Sequence, residues 1–204
     1  MKVLDLCSGL GGFSEAFLMD RDAWEVMRIE NNPLLSEVPN TEIIDLFEFR
    51  DTLSDMIERG YRPDKIDLIL FSPPCREFSL GFHAPQAVAS REGRYEEYSP
   101  DMSILEAGLE IIKMLEPRFY IIENVKGSIR HFEPYVGPPV CSIGSFWFYG
   151  NFPPFIVNEP VKKKSQGEKW SNHPLRENYR ALIPLPISKA IKQAVESQTS
   201  LFNF

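Results

Sequence analysis

The sequence predicts an α/β protein in which a mostly parallel sheet carries helices on both faces. Two observations support this fold class. Short apolar segments of strand length alternate along the chain with amphipathic segments of helical period. Several strand segments also end directly at Gly, Asp, Glu or Pro residues, as expected where parallel strands open onto a ligand site. Because 204 residues is the size of one ordinary domain, we expect residues 1–204 to form a single domain.

Residues 1–71 supply four predicted strands and two predicted helices. In order, these are a strand at 2–6, a glycine-rich turn at 7–12, a helix at 13–19, strands at 24–29 and 42–44, a helix at 46–59 and a strand at 66–71. The strand segments are short apolar runs, whereas Phe13, Ala16 and Phe17 share one helical face. Five apolar residues recur at helical spacing within 46–59, and Gly60 follows where helices commonly end.

The alternation continues after a long polar segment. Residues 75–100 show no sustained period, and a loop of that length is either functional or mobile. We expect residues 76–100 to be mobile without substrate. Apolar residues at helical spacing predict a helix at 102–115, and Pro117 leads into a buried strand at 119–122. Aromatic, Gly and Pro residues at 139–160 indicate short antiparallel strands. Residues 158–180 are predicted to be a basic loop and residues 186–196 a final helix.

Composition excludes several classes of protein. Apolar residues make up 43% of the chain and charged residues 25%, which is too apolar for a disordered protein. No apolar run approaches the ~18 residues of a membrane helix. Because Asp5 interrupts the first apolar stretch too early for a signal peptide, we expect a cytoplasmic protein without a membrane partner. Cys7, Cys75 and Cys141 are odd in number and far apart, which indicates neither a disulfide framework nor a metal site.

Charge is distributed unevenly along an acidic chain. The formal net charge is −7, which argues against broad, non-specific coating of nucleic acid. Residues 1–157 carry 14 basic and 25 acidic side chains, whereas residues 158–204 carry 8 basic and 4 acidic ones. If a polyanion binds, we therefore expect it to meet the C-terminal quarter of the sequence.

Unusual residues follow four of the predicted strands, where an open parallel sheet binds ligands. They lie at 7–12, 30, 72–75 and 123–124. Gly9, Gly11 and Gly12 allow close approach of the backbone to a ligand and open a helix whose N–H groups favour an anion. Glu30 stands where a second-strand acid would accept hydrogen bonds from ribose hydroxyls. Neither phosphate-binding pattern, GxxxxGK[ST] or GxGxxG, is present, and a tight turn beside an ordinary helix is the alternative.

A thiol and a carboxyl group also lie at this sheet edge. Pro73 and Pro74 fix the backbone before Cys75, a rigid mount that suits a nucleophile, although a lone cysteine is commonly a small buried hydrophobe. Glu123 follows four apolar residues, so we expect partial desolvation that favours proton donation. A helix cap or surface acid is the alternative for Glu123. Beside a nucleoside-type pocket, the two groups would form a coherent reactive site.

Three segments together resemble a known family. Residues 5–14 (DLCSGLGGFS), 72–79 (SPPCREFS) and 123–127 (ENVKG) are similar to the first, fourth and sixth motifs of the C5-cytosine methyltransferases. Their order and strand positions agree, and the resemblance covers about residues 1–130. It implies a Rossmann-like, S-adenosylmethionine-dependent methyltransferase fold and DNA (cytosine-5-)-methyltransferase activity. Residues 181–190 resemble compact virus-type or prophage-type relatives in which a final helix returns to the sheet.

The resemblance implies a set of cofactor-binding residues. The glycine turn would hold the methionine part of S-adenosylmethionine, Glu30 its ribose, and Asp45 would accept from the exocyclic amine of adenine. Ile104 is placed by counting back from Glu123 without gaps. The full set is Cys7, Ser8, Gly9, Leu10, Gly12, Glu30, Asn31, Asp45, Leu46, Pro74 and Ile104.

The resemblance also implies the catalytic residues Cys75, Glu123 and Asn124. The Cys75 thiolate would add to C6 of cytosine and make C5 nucleophilic. Glu123 would bind the N4 amine and protonate N3, and Asn124 would hold the carboxyl group and its loop in place. In a duplex the base must first be flipped out, and residues 76–100 could fill the gap it leaves.

The sequence departs from the family pattern at the expected substrate contacts. Arg76 stands where the family usually has glutamine, and residues 144–150 occupy the stretch of its Gln-x-Arg-x-Arg motif. Only residues 151–180 could replace a target recognition domain. The candidate substrate contacts are Arg76, which shares its loop with Arg91 and Arg94, and Lys163 and Trp170 in residues 151–180. A solvated surface is the alternative for each.

Three functions therefore stay open. The leading one is a compact cytosine-5 methyltransferase acting on DNA, with little sequence selectivity or with selectivity lent by a separate specificity partner. The same chemistry on RNA such as tRNA, or on a free cytosine nucleotide, needs no recognition domain. A non-catalytic S-adenosylmethionine-binding regulatory module is the third, although such a module has no need of Cys75 and Glu123.

Overall fold

The computed structural model describes residues 1–161 and 172–200 of the chain, and within them seven strands form one sheet in the order β3-β2-β1-β4-β5-β7-β6. The strands are β1 (Lys2–Leu6), β2 (Glu25–Glu30), β3 (Thr41–Ile43), β4 (Leu68–Phe71), β5 (Phe119–Asn124), β6 (Cys141–Ile143) and β7 (Phe146–Asn151). Strands β1 to β5 pair in parallel, whereas β7 runs antiparallel to both β5 and β6. The mostly parallel sheet confirms the predicted fold class.

Helices connect the strands across both faces of the sheet. They are α1 (Glu15–Leu18), α2 (Leu46–Glu58), α3 (Pro85–Arg91), α4 (Ser103–Leu115), α5 (Ile129–Val136), α6 (Arg176–Ala181) and α7 (Leu185–Ser200). Short 3-10 turns lie at Pro33–Leu35, Tyr95–Glu97 and Lys126–Ser128. In the described part of the chain, none of the helices has both the length and the apolar character needed to cross a bilayer.

Parallel pairing aligns the ends of the four central strands. Leu6 at the end of β1 pairs with Ile29 on one side and with Phe71 on the other. Phe71 pairs in turn with Ile122. The residues that come next at this level are Cys7, Glu30, Ser72 and Glu123. The strand order also reverses between β1 and β4, so this row lies at the topological switch point, where such sheets bind ligands.

Two apolar cores cover the sheet. On one face α1 and α7 pack against the strands, and that core includes Phe13, Phe17, Trp24, Leu70, Ile121, Ile187 and Ile191. On the other face α2, α4 and α5 contribute to a core that includes Leu53, Phe71, Leu105, Ile111, Ile122 and Phe132. Because these five helices bury apolar side chains on the sheet, three layers result, as expected for this class.

The final helix returns to the sheet, as predicted, although it is longer than residues 186–196. Ser188 Oγ donates to the Phe13 carbonyl at 2.7 Å and accepts from the Ala16 N–H at 3.0 Å. Trp24 Nε1 donates to Glu196 Oε1 at 2.7 Å near the far end of the helix. These bonds fix α7 against α1, directly behind the glycine turn.

Three short helices depart from the sequence-based expectation. Residues 75–100 contain α3 and a 3-10 turn, although only Gln86 and Ala89 of α3 are buried and so give almost no periodic signal. Helix α5 was not predicted, because it is short and contains Pro134. Helix α6 begins at Arg176, within residues 158–180, which were expected to form a loop. At the other elements the boundaries differ by a few residues, and α1 is shorter than 13–19.

Candidate active site

The glycine turn that follows β1 adopts a backbone conformation that its sequence permits. Cys7, Gly9 and Gly11 have φ angles of 55°, 54° and 75°, in the left-handed region that favours glycine. The Gly11 N–H donates to the Ser8 carbonyl at 2.8 Å and closes the turn. Burial raises the pKa of the Cys7 thiol, and the carboxylates of Glu30, Asp5 and Asp45 raise it further, so Cys7 stays a neutral thiol.

Glu30 joins the end of β2 to this turn. Its side chain is 8% exposed, and Oε2 accepts from the Gly9 N–H at 2.8 Å. Its other oxygen accepts from the N–H groups of Asn31 and Asn32 at 3.1 and 3.0 Å. Since an ionised carboxylate offers about four lone-pair sites, Glu30 can still accept bonds from a hydroxyl-bearing ligand.

The other residues assigned to the cofactor by resemblance differ in how exposed their side chains are. Asp45 is an exposed N-cap whose carboxylate accepts from the Phe47 N–H at 2.9 Å, and Leu46 behind it is buried. Ile104 is half-buried against the same apolar core as Leu46. Asn31 and Pro74 are exposed, and Leu10 is half-buried within the turn.

Asn124 ties the end of β5 to the end of β4. Its side chain is 1% exposed, and Nδ2 donates to the Pro73 carbonyl at 3.0 Å. Its Oδ1 accepts from the Val125 N–H at 2.9 Å, so the side chain is held from both ends. The segment that carries Cys75 is therefore fixed relative to Glu123.

Cys75 lies among opposing charges. Burial raises the pKa of its thiol above the ordinary value of 9.0, and the Glu123 carboxylate raises it further. Glu177 acts in the same direction, while a backbone hydrogen bond and Arg180 act in the opposite one. With Glu123 ionised, Cys75 is therefore a protonated thiol near neutral pH.

Glu123 lies beside an aromatic strand. It is 8% exposed and pairs with Phe148 of β7, while Asn124 pairs with Trp147. Residues 144–150, which stand in the place of the Gln-x-Arg-x-Arg pattern, therefore bring aromatic side chains to this position. Strand β7 contributes no cation to the site.

Two buried hydroxyl groups lie at the same edge without a hydrogen-bond partner among the described residues. They are Ser8 Oγ in the glycine turn and Ser72 Oγ at the end of β4. Because buried polar atoms are nearly always paired, these two oxygens mark the edge as suited to a polar ligand. In the described residues, no cluster of three or more His, Cys, Asp or Glu side chains could hold a metal ion.

The segment after Cys75 is anchored at its base and exposed at its tip. Gln86 is 1% exposed, donates to the Gly127 carbonyl at 3.2 Å and contacts His131 Nε2 at 3.1 Å. Phe82 is 68% exposed, and the Arg91 guanidinium stacks 4.1 Å from its ring centroid. Arg76 is exposed. The mobility expected for residues 76–100 stays a prediction.

Helix α6 supplies site residues that sequence analysis missed. A Cβ added to Gly9 would lie 3.6 Å from Asn178 Nδ2, so α6 lies next to the glycine turn. The charges of Glu177 and Arg180 on the same helix shift the pKa of the Cys75 thiol, Glu177 upward and Arg180 downward. A helical signal of six residues is too short to identify from the sequence. The candidate contacts Lys163 and Trp170 lie outside the described residues.

Most of the chain is similar in sequence to one known protein family and to curated methyltransferases. Residues 1–135 match the family described as C-5 cytosine-specific DNA methylase. Type II methyltransferase M1.HphI of Haemophilus parahaemolyticus is 29% identical over 136 residues, which cover 64% of this chain and 34% of that protein. Type II methyltransferase M.DdeI of Desulfomicrobium norvegicum is 27% identical over 138 residues, 62% of this chain and 28% of that protein. The chain therefore matches about a third of the length of these curated relatives.

Among solved structures, human methyltransferase-like protein 13 in complex with SAH aligns with a TM-score of 0.44 and 12% identity. The alignment covers 96% of this chain and 82% of that one.

The charges around Cys75 predict how its reactivity depends on pH. Alkylation of Cys75 by iodoacetamide should rise with pH to a midpoint above about 9, because burial and Glu123 disfavour the thiolate. Glu123→Gln removes one negative charge and should move the midpoint to lower pH, with alkylation at pH 8 faster by about threefold or more. Mass spectrometry of the Cys75 peptide measures the rate. Glu58→Gln at the far end of α2 is the control, and a Glu123→Gln profile that coincides with it would contradict the prediction.

Proposed function

The chain belongs to the C-5 cytosine-specific DNA methylase family, and on that basis we propose that it transfers a methyl group from S-adenosylmethionine to C5 of cytosine in DNA. The observation that carries the proposal is the row of Cys7, Glu30, Ser72 and Glu123 along one sheet edge, with Cys75 three residues beyond Ser72. This row lies within the part of the chain that matches the family. It brings a ligand-binding turn, a thiol and a carboxyl group to the same edge.

The residues at the glycine turn fit the proposed cofactor. Ser8 and Ser72 offer buried hydroxyl groups without partners among the described residues, and Glu30 has acceptor capacity for ribose hydroxyls. The remaining proposed contacts are Cys7, Gly9, Leu10 and Gly12 to the methionine part and Asn31, Asp45 and Leu46 to the adenine, with Pro74 and Ile104 completing the wall of the cofactor site. When bound, S-adenosylmethionine supplies a methyl group on a positively charged sulfur.

Cys75 makes the target carbon reactive. Its thiolate adds to C6, so an Sγ–C6 bond forms and the electron pair of the C5–C6 double bond becomes available at C5. Glu123 donates a proton to N3 of the ring, which limits the negative charge that addition would otherwise place there. The electron pair at C5 would then take up the methyl group that the bound cofactor supplies. A base accepts the C5 proton, the electrons of that C–H bond re-form the C5–C6 double bond, and the Sγ–C6 bond breaks to release the thiolate, while the N3 proton returns to Glu123.

Proton donation by Glu123 and nucleophilicity of Cys75 support each other. The Glu123 carboxylate is the largest charge effect that disfavours the Cys75 thiolate. A Glu123 that carries the proton needed for N3 exerts no such effect, so the thiolate becomes easier to form in the state that is ready to react. Asn124 contributes by positioning, because its bond to the Pro73 carbonyl fixes the segment that holds Cys75.

DNA contacts are proposed for the segments that flank this edge. Phe82 and Leu80 are exposed at the tip of the segment after Cys75, where an apolar ring can occupy the space left by a flipped base. Arg76 and Arg91 lie in the same segment for phosphate contacts. We further propose that residues 1–204 act as one catalytic domain. In it, the basic segment 151–180, which includes Lys163 and Trp170, substitutes for a recognition domain. Sequence selectivity would then be low or would come from a separate partner.

Label transfer tests the reaction and its substrate. With methyl-tritiated S-adenosylmethionine, the protein should label duplex DNA more than tRNA or dCMP, and Cys75→Ser should lower the label to background because no adduct can form. Scintillation counting of the purified nucleic acid measures incorporation. Cys141→Ser is the matched control and should keep wild-type activity, since Cys141 begins β6 on the far edge of the sheet.

Each outcome of the label experiment has a defined meaning. Label found only in tRNA or dCMP would show that tRNA or the free nucleotide, and not DNA, is the substrate. Cofactor binding without label in any substrate would indicate a regulatory module and overturn the proposed reaction.

The exposed ring of Phe82 predicts a specific defect in duplex binding. Phe82→Ala should raise KM for duplex DNA about tenfold, because a stacked aromatic side chain contributes roughly 1–3 kcal/mol per base. The rise in KM should be smaller on a duplex whose target cytosine is mismatched, since that base is already easier to flip. Steady-state kinetics on both duplexes measures the effect, with Tyr61→Ala, which also removes an exposed aromatic side chain, as the control. An equal rise in KM on both duplexes would argue against a role of Phe82 in base flipping.

A further inference from the structure

The glycine turn rests on a fully buried arginine that the proposed reaction does not use. Arg28 lies on β2 and is 0% exposed. Its Nη2 donates to the Gly11 carbonyl at 2.8 Å, and its Nε donates to Ser14 Oγ at 2.8 Å. Its Nη1 donates to the Pro39 carbonyl at 3.0 Å. The guanidinium therefore links the turn after β1 to the segment that leads into β3.

Burial of a guanidinium is costly unless its donors are satisfied and its charge is balanced. The carboxylate of Glu15, on α1 directly after the turn, lies 3.1 Å from Nη2. Asp5 pairs with Arg28 in the sheet, and Ser14 Oγ donates to Asp5 Oδ2 at 2.6 Å while it accepts from Arg28. Both balancing carboxylates thus flank the glycine turn, which lies directly over the cation.

The turn and the guanidinium are packed without spare space. A Cβ added to Gly11 would overlap the guanidinium carbon and nitrogens, so this backbone closely contacts the Arg28 side chain. Gly11 also has a φ of 75°, which an L-residue rarely adopts. The path of the turn is therefore determined jointly by its glycines and by Arg28.

We propose that Arg28 is a positioning residue for the amino-acid end of the cofactor. Through its bonds to the Gly11 carbonyl and Ser14 Oγ, it holds the glycine turn in the shape that receives the methionine part. The inference rests on the proposed function, because it assumes that the turn binds S-adenosylmethionine. Arg28 lies outside the three motifs that carry the family resemblance.

Two ligands separate this role from a general structural one. S-adenosylhomocysteine carries both the nucleoside and the amino-acid end, whereas 5′-methylthioadenosine carries the nucleoside and lacks the amino-acid end. Arg28→Met should weaken binding of S-adenosylhomocysteine about tenfold or more and change the affinity for 5′-methylthioadenosine by less than about twofold. Arg28→Lys keeps the charge but cannot reach all three acceptors, so its loss for S-adenosylhomocysteine should be intermediate. Isothermal titration calorimetry measures both affinities.

Val26→Ala is the matched control. Val26 is buried on the same face of β2 two residues before Arg28, so its truncation destabilises the fold without touching the turn. It should leave the ratio of the two affinities unchanged. If Arg28→Met does not fold, Arg28→Lys provides the same comparison.

The outcomes distinguish the inference from its premise. Equal losses of both ligands in the Arg28 variants, or no loss of either, would overturn the positioning role. Failure of the wild-type protein to bind either ligand would instead contradict the proposed function, on which the positioning role depends.

Discussion

In-register parallel pairing of the four central strands is the constraint on which the site depends. Ile29, Leu6, Phe71 and Ile122 lie side by side on β2, β1, β4 and β5, respectively. Strands β1, β4 and β5 are buried on both faces along most of their length, so a shift of one residue in any of them would move its apolar side chains to the wrong core. The same register that satisfies both cores therefore brings the four strand ends to one level, and the residues there come from segments far apart in the sequence.

Hydrogen bonds connect these strand ends to one another. The Glu30 carboxylate accepts from Gly9 and joins β2 to β1, and the Ser72 N–H donates to the Leu6 carbonyl and joins β4 to β1. Asn124 donates to the Pro73 carbonyl and joins β5 to β4. The glycine turn, the cysteine and the glutamate thus form one continuous edge. This continuity explains how a site made from short loops can hold groups in fixed relative positions.

The sequence predicts the strand ends well because they combine apolar runs with abrupt polar, Gly or Pro stops, and most predicted strands and long helices are found within a few residues. Helices α3, α5 and α6 escape prediction because they are short and bury few side chains. Arg28 escapes for another reason: alternation in β2 would be expected to bury Met27 and expose the arginine, whereas Met27 is 43% exposed and Arg28 is buried. The acceptors contributed by Gly11, Ser14, Glu15 and Pro39 make that burial favourable, and their convergence is a property of the fold. The effect of Arg180 on Cys75 likewise depends on the return of the chain to the sheet.

Covalent trapping tests the central claim, that Cys75 attacks a cytosine held at this edge, most directly. Duplex DNA containing 5-fluorocytosine blocks release, because fluorine at C5 cannot leave as the proton does. In the presence of S-adenosylmethionine, the account predicts a denaturation-resistant protein–DNA complex whose linkage maps by mass spectrometry to Cys75. The complex should persist in Cys141→Ser and disappear in Cys75→Ser. A complex linked through another residue, or methylation of ordinary cytosine without any trapped complex, would contradict the account.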